Sequence, residues 1–316
     1  MRRLLVALIV LFVMVADARA AELTRIMVGF PPGQATDLIA RLLADRLGRA
    51  LGETVIVENR PGQGGSMALA ALTSTAADGH TMVLAPLASM VVNPHMYKTV
   101  GYDSLKDFAP VALIGDVPMM MVVNPSLPVK NVAELVAYAK ANPGKLSNPS
   151  SGNGTLSHLG MEEFKQRAGV SIVHVPYRGS PPAMTDLIAG VVGVAMDTIT
   201  VTGPLVHAGK LRLIASAYGK RVPSFPDTPT LAEQGFPGFD LAAWLGIVVP
   251  VATPKDRVEK LSAAFVAMLQ TPDLKEKLAK LGTIPRPLGP QDFAAYLAQQ
   301  DKHWAGVVKA AGITVD

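Results

Sequence analysis

The chain has 316 residues, a net charge of +4 at pH 7, 17% charged residues and no cysteine. The missing cysteine excludes disulfide staples, thiol nucleophiles and cysteine-ligated metals, and so balanced a charge argues against nucleic acid, whose recognition leans on clustered positive charge. At this length two domains are expected, with enough buried apolar surface to dispense with staples.

In chain order, the first twenty residues stand apart from the fold. Arg2 and Arg3 form a basic start, Leu4 to Val15 an apolar core, and Ala18-Arg19-Ala20 a small-x-small exit. That is the pattern of a secretory signal peptide over residues 1–20, cleaved after Ala20, and its apolar run is short for a membrane span of roughly 20 residues. No later stretch reads as a span.

Apolar bursts then alternate with helical patterns, which predicts an α/β fold. Arg25 to Phe30 is the first expected strand. Thr36 or Asp37 can cap a helix to about Ala50, with Leu38, Leu42, Leu43 and Leu47 as its apolar stripe. A strand over Thr54 to Glu58, a turn at residues 59–62, a short helix from Ser66 to Ser74 and a strand over Thr81 to Ala85 follow. Val117 to Val123 reads as a further strand, and beyond it the pattern begins again. Asn131 and Glu134 form a capping pair for a helix to Ala141. Another helix follows Ser151 to Thr155, then a strand over Ile172 to Val175. Ser180-Pro181 reads as a cap followed by a proline in the first helical position. Strands are expected over Val191 to Met196 and Leu211 to Ser216, with a short helix from Pro204 to Ala208 between them. After proline-rich turns, Trp244 to Val249 is a strand and the tail is helical, with caps at Thr253 and Thr271 and a long helix from Gln291 to Ala310. This order predicts one domain interrupted by another: residues 21–120 and 245–316 in the first, 121–244 in the second. Two strands, around 117–124 and 244–250, cross between them as a hinge. Two consecutive domains are the simpler alternative.

Catalytic signatures are missing. There is no Gly-x-Ser-x-Gly and no H-E-x-x-H, and none of the six dispersed histidines has a partner at metal-ligand spacing. His158 follows a glycine-rich loop and suits helix-terminal hydrogen bonding, with ligand contact as the alternative; His174, on a strand, reads as structural. Gly29 to Asp37 lacks the lysine of a phosphate loop. Gly62-x-Gly64 lacks the third glycine of a dinucleotide fingerprint and reads as a tight turn. No metal or cofactor is expected.

Two loops remain that can hold an anion without chemistry, residues 31–36 and 150–155, each leading into a helix. Glycines let backbone N–H groups turn inward, and helix starts supply unpaired N–H groups and positive potential.

Several motifs in order resemble one family. Ile26 to Gly33, Val57 to Gly65, Ser150-Ser151-Gly152-Asn153-Gly154-Thr155, His174 to Gly179, Pro226 to Thr230 and the ending Trp304 to Ile313 are similar to the extracytoplasmic solute receptors of tripartite tricarboxylate transporters, the Bordetella uptake gene (Bug) family. The resemblance implies a periplasmic binding protein of the type II-like fold with a central cleft between two α/β domains. Such a protein takes a small carboxylated organic solute, closes on it and hands it to transporter membrane subunits, and is expected to act as a monomer. Carried over by motif, the ligand contacts are Phe30, Pro32, Gly33, Gln34 and Ala35 in one loop and Ser150, Ser151, Gly152, Gly154 and Thr155 in the other, with Tyr177 and Asp197 beside them.

Departures from the family pattern bear on the solute. Gln34 and Ala35 stand where small residues are usual, and residues 86–90 replace a more polar loop, which nominates Leu87 and Ser89 as cleft wall. An apolar Leu87 and the scarcity of Arg or Lys apart from Arg178 predict a monocarboxylate or aromatic carboxylate over a citrate-like tricarboxylate. Two other classes stay open on sequence: a sensor subunit presenting the closed form to a membrane kinase, and an exported α/β hydrolase.

Overall fold

The structure, a computed structural model, describes residues 23–312, so the leader expected over residues 1–20 lies outside the described residues, as do the last four positions. Among the described residues no helix is long and apolar enough to cross a membrane.

Three parallel strands open the chain: β1 (Leu23–Val28), β2 (Thr54–Asn59) and β3 (Thr81–Pro86), with β1 between the other two. Helix α1 (Ala35–Leu51) connects β1 to β2, and α2 (Ser66–Leu72) leads toward β3. Side chains on a strand alternate between faces, and both faces here are covered. Ile26 and Val28 of β1 pack with Ile39, Leu43 and Leu47 of α1, whereas Met27 packs with Ala68, Leu69 and Leu72 of α2. The stripe on α1 differs from expectation: Leu38 is exposed, and Ile39 takes the buried place.

Past α3 (Asn93–Met96), β4 runs from Phe108 to Val123, nine residues earlier than its apolar stretch suggests. Pro110, Gly115 and Asp116 obscure its first half in the sequence, and register shifts between Pro110 and Ala112 and between Leu113 and Gly115 accommodate them. Sixteen residues at about 3.3 Å each make a strand of roughly 50 Å, long enough to serve two sheets. Its first half pairs with β9 (Ala242–Pro250) and β10 (Ile284–Leu288); its second half pairs with β7 (Val194–Thr198) and β8 (Arg212–Ser216).

The segment between β4 and β9 forms a second α/β unit. It contains α4 (Val132–Ala141), β5 (Ser147–Ser150), α5 (Leu156–Ala168), β6 (Val173–Pro176), α6 (Ser180–Ala189) and α7 (Ile199–His207). The Asn131 cap holds as expected: its Oδ1 accepts the Glu134 N–H at 2.9 Å, and Glu134 accepts the Lys130 N–H at 2.7 Å. Ser180 does not cap. It is the first helical residue, and its hydroxyl donates to Asp197. Helix α7 begins five residues before Pro204, which lies inside it. Strands β5 and β10 were not expected; each is short and carries proline.

After β9, α8 (Lys255–Leu269), α9 (Pro272–Lys280) and α10 (Pro290–Ala311) complete the first unit. Pro254 rather than Thr253 precedes α8, and Thr271 precedes α9 without a side-chain capping bond. Gly312, in the left-handed region, ends α10.

Candidate functional site

Strand pairing alone brings the two units' loops face to face. β3 runs in the same sense as β4, since each is antiparallel to β9, whereas β7 runs against β4. The end of β3, Pro86, lies beside Leu245 of β9, which on its other side pairs with Gly115 of β4, and the end of β7, Thr198, lies beside Met119. Measured along β4, four residues, roughly 13 Å, therefore separate the levels at which the two units' strands end. Helices α1, α5, α6 and α7 start from such strand ends, and none has a side-chain cap. Their first-turn N–H groups and dipoles place positive potential around the gap.

The first loop takes its shape from a carboxylate. Asp37, 1% exposed, accepts the Gly33 N–H at 2.8 Å, Arg41 through both oxygens at 2.9 Å, and Asn59 Nδ2 at 2.9 Å. Asn59 Nδ2 also donates to the Phe30 carbonyl at 2.9 Å. Burial alone would raise the Asp37 carboxyl, but its hydrogen bonds to Arg41, Gly33 and Asn59 outweigh that and lower it to about 2. Asp37 is thus a brace rather than a cap. Phe30 is half-buried, and Pro32, Gly33, Gln34 and Ala35 are exposed. The Gly33 N–H, expected to face a ligand, is engaged by Asp37. Below the loop, Gly29 meets Gly65 so closely that a Cβ on Gly29 would lie 2.5 Å from the Gly65 Cα, which accounts for the glycine-rich turn at 62–65.

Two nominated residues do not line a surface. Leu87 is 1% exposed and packs in the core with Met90 and Val91, because the chain turns into a helix directly after β3. Ser89 is fully buried, its hydroxyl donating to the Pro86 carbonyl at 3.1 Å. The alternation that would put Leu87 into the cleft holds only for an extended loop.

The second loop is held by neutral groups. Ser151 donates its N–H to Ser157 Oγ at 2.9 Å, and the hydroxyls of Ser151 and Thr155 each lie 2.9 Å from the same atom. Thr155 Oγ1 donates to the Gly152 carbonyl at 2.7 Å. Ser150, 1% exposed, lies 2.6 Å from His174 Nε2, and the Gly154 N–H donates to His158 Nδ1 at 3.1 Å. The two imidazoles stack 3.7 Å apart. His158 thus makes the helix-terminal bond expected of it. The Ser150–His174 contact has the spacing of a nucleophile and its base, yet among the described residues no carboxylate is hydrogen-bonded to His174.

Tyr177 joins this cluster through its N–H to the Ser150 carbonyl at 3.0 Å, and its hydroxyl donates to Asp186 at 2.6 Å. Asp197 is buried, accepts Ser180 Oγ at 2.7 Å and the Thr198 N–H at 2.7 Å, and burial pushes its carboxyl up from the usual range. Ser150, Ser151, Gly152, Gly154, Thr155 and Tyr177 are therefore one cluster, and Phe30 to Ala35 another. No hydrogen bond among the described residues joins the two. Asp37, Asn59, Ser157 and Ser180 hold these clusters without having been nominated. Asn59 stood in a recognisable motif and Asp37 at an expected helix start, but nothing in their spacing assigns them to each other.

Behind the connecting strands, the Tyr218 hydroxyl of the second unit donates to Asp116 at 2.8 Å, and Arg286 donates to the same carboxylate at 2.7 Å. These residues, with Ala242 of β9 and Tyr296 and Trp304 of α10, line a cavity of about 350 Å³. Among the described residues, no group of side chains could hold a metal ion.

The sequence matches the family model described as the tripartite tricarboxylate transporter family receptor over residues 39–313. It is 35% identical to protein BugT of Bordetella pertussis, covering 94% of this chain and 91% of that protein. Among solved structures, R. palustris Rpa4515 with adipate superposes with a TM-score of 0.82 at 36% identity, covering 94% of this chain and 99% of that one. MatC from Rhodopseudomonas palustris with bound malate superposes with a TM-score of 0.76 at 31% identity, covering 90% and 98%.

Proposed function

We propose that this chain, which belongs to the tripartite tricarboxylate transporter receptor family, captures a small carboxylated organic solute between its two units and delivers it to the membrane subunits of such a transporter. Membership makes it a two-domain α/β periplasmic binding protein, a receptor and not an enzyme. We place the domain boundaries at the two connecting strands, with residues 21–120 and 245–316 on one side and 121–244 on the other. The leader over residues 1–20 is our reading of how it is exported.

The observation that carries this reading is the convergence of strand ends and uncapped helix starts from both units on one gap. The nominated loop residues offer N–H groups and hydroxyls but no Arg or Lys side chain, Arg178 beside Tyr177 excepted, so a solute of one or two carboxylates is favoured over three. The argument for an aromatic acid weakens, because Leu87 belongs to the core. The adipate and malate held by two relatives support an aliphatic carboxylate. Contacts from Phe30, Pro32, Gly33, Gln34 and Ala35 and from Ser150, Ser151, Gly152, Gly154 and Thr155, with Tyr177 and Asp197, remain our assignment.

Closure requires that the solute touch the two units more fully when they are together than apart. Calorimetry with adipate, malate, benzoate and citrate tests the solute class, and small-angle scattering tests closure. Adipate or malate should bind and compact the protein. Preference for citrate, or binding with unchanged scattering, would count against the proposal.

A further inference from the structure

The second loop rests on two histidines as well as on its own hydroxyls. His158 lies in the first turn of α5 and His174 on β6, sixteen residues apart in sequence, and their rings stack 3.7 Å centre to centre with 9° between planes. Each ring takes one end of the loop. His174 Nε2 lies 2.6 Å from the Ser150 hydroxyl, and His158 Nδ1 accepts the Gly154 N–H. A nitrogen that accepts an N–H carries no proton, so this contact assigns the His158 proton to Nε2, which faces Glu162 Oε1 at 3.6 Å.

We propose that the stacked His158–His174 pair is the positioning element of the 150–155 loop, and that it holds the loop in its binding shape only while His158 Nδ1 is unprotonated. This rests on the reading of the gap as a solute site. Protonation of Nδ1 sets two N–H groups against each other at Gly154, so the loop loses its bond there. The charged groups that face the pair are Glu162 and Lys165, both on α5, and Glu162 is paired with Lys165 at 2.5 Å. On the other ring, burial and then the neighbouring His158 push the His174 imidazole down from 6.5 to about 4. A proton on Nδ1 is thus incompatible with the Gly154 contact whatever the state of His174.

The test has one arm that needs no solute. In the ligand-free protein, nitrogen NMR of the imidazoles should find His158 protonated at Nε2 alone at about pH 7.5, and the Gly154 amide resonance should move together with His158 protonation. A proton on Nδ1 at that pH, or a Gly154 amide that stays still while the ring titrates, overturns the proposal. The second arm uses adipate and malate. His158→Asn keeps an acceptor near the Nδ1 position but cannot be charged; it should bind within about threefold of the parent at neutral pH and respond less to acid. His158→Leu removes the acceptor and should bind about tenfold more weakly at neutral pH. The solute's own protonation acts equally on all three proteins, so the comparison isolates the ring. An Asn variant with the parent's pH profile overturns the proposal. A parent that binds neither acid counts against the solute class alone, and the NMR arm still decides the role of the pair.

Discussion

The two ligand loops occupy matching places, each between a strand end and a helix start, but they are held by opposite chemistry. The 30–36 loop hangs on an ionised carboxylate, Asp37, bonded to a guanidinium, an amide and a backbone N–H. The 150–155 loop hangs on hydroxyls and two imidazoles. A charged brace holds strongly and resists acid until its carboxyl is protonated; a neutral one holds weakly at each contact and needs many. The same fold position therefore tolerates different damage on its two sides.

The largest break in that comparison is steric. Gly29→Ala puts a Cβ into the Gly65 backbone, and relief requires moving β1 or the 62–65 turn. We expect a loss of about 3 kcal/mol in urea unfolding together with loss of solute binding, while the second loop keeps its amide shifts. Next comes Asp37→Ala, which leaves the Gly33 N–H without its acceptor, unpairs Arg41 from the carboxylate and leaves Asn59 Nδ2 only the Phe30 carbonyl; about 2 kcal/mol should be lost, with binding weakened more than stability. Ser157→Ala is the counterpart in the second loop. It removes the shared partner of Ser151 and Thr155 and should cost about 1 kcal/mol, because those hydroxyls keep other acceptors or reach water. A Ser157 variant as damaging as the Asp37 variant would erase the distinction.

The smallest effect at neutral pH is the order in which the loops fail in acid. His174 has a depressed value, so its contribution is present above 6.5 and is lost as pH falls from 6.5 toward about 4. Asp37 is also depressed, so its contribution is present above 3.8 and is lost as pH falls toward about 2. Hydrogen exchange at descending pH should release the second loop first. Simultaneous release would show that one global transition, rather than two braces, governs both.

Much of the architecture was legible because it depends on short-range pattern. The alternation of strands and helices, the Asn131 capping pair and the motifs of both loops lie within windows of a few residues, where period and turn chemistry are readable. The long β4 was only half legible, because Pro110 and Gly115 break its apolar run and only bulges in a paired sheet accommodate them. Leu87 and Ser89 were misplaced for a related reason: extension or helix after β3 sends the same residues to opposite surroundings, and packing against Met90 and Val91 settled it.

The sequence by itself determined an α/β chain carrying two glycine-marked loops of a known receptor family, and left two consecutive domains open beside one domain interrupted by another. Only the tertiary structure decided which atoms those loops can offer. Asn59 reaches Phe30 across 29 positions, and His174 reaches Ser150 across 24. A hydrogen-bond partner is chosen by proximity in space, and a polar side chain in a motif does not announce whether it faces a ligand or a neighbour. Here several of the nominated donors, the Gly33 amide and the Ser150 hydroxyl among them, already hold the fold.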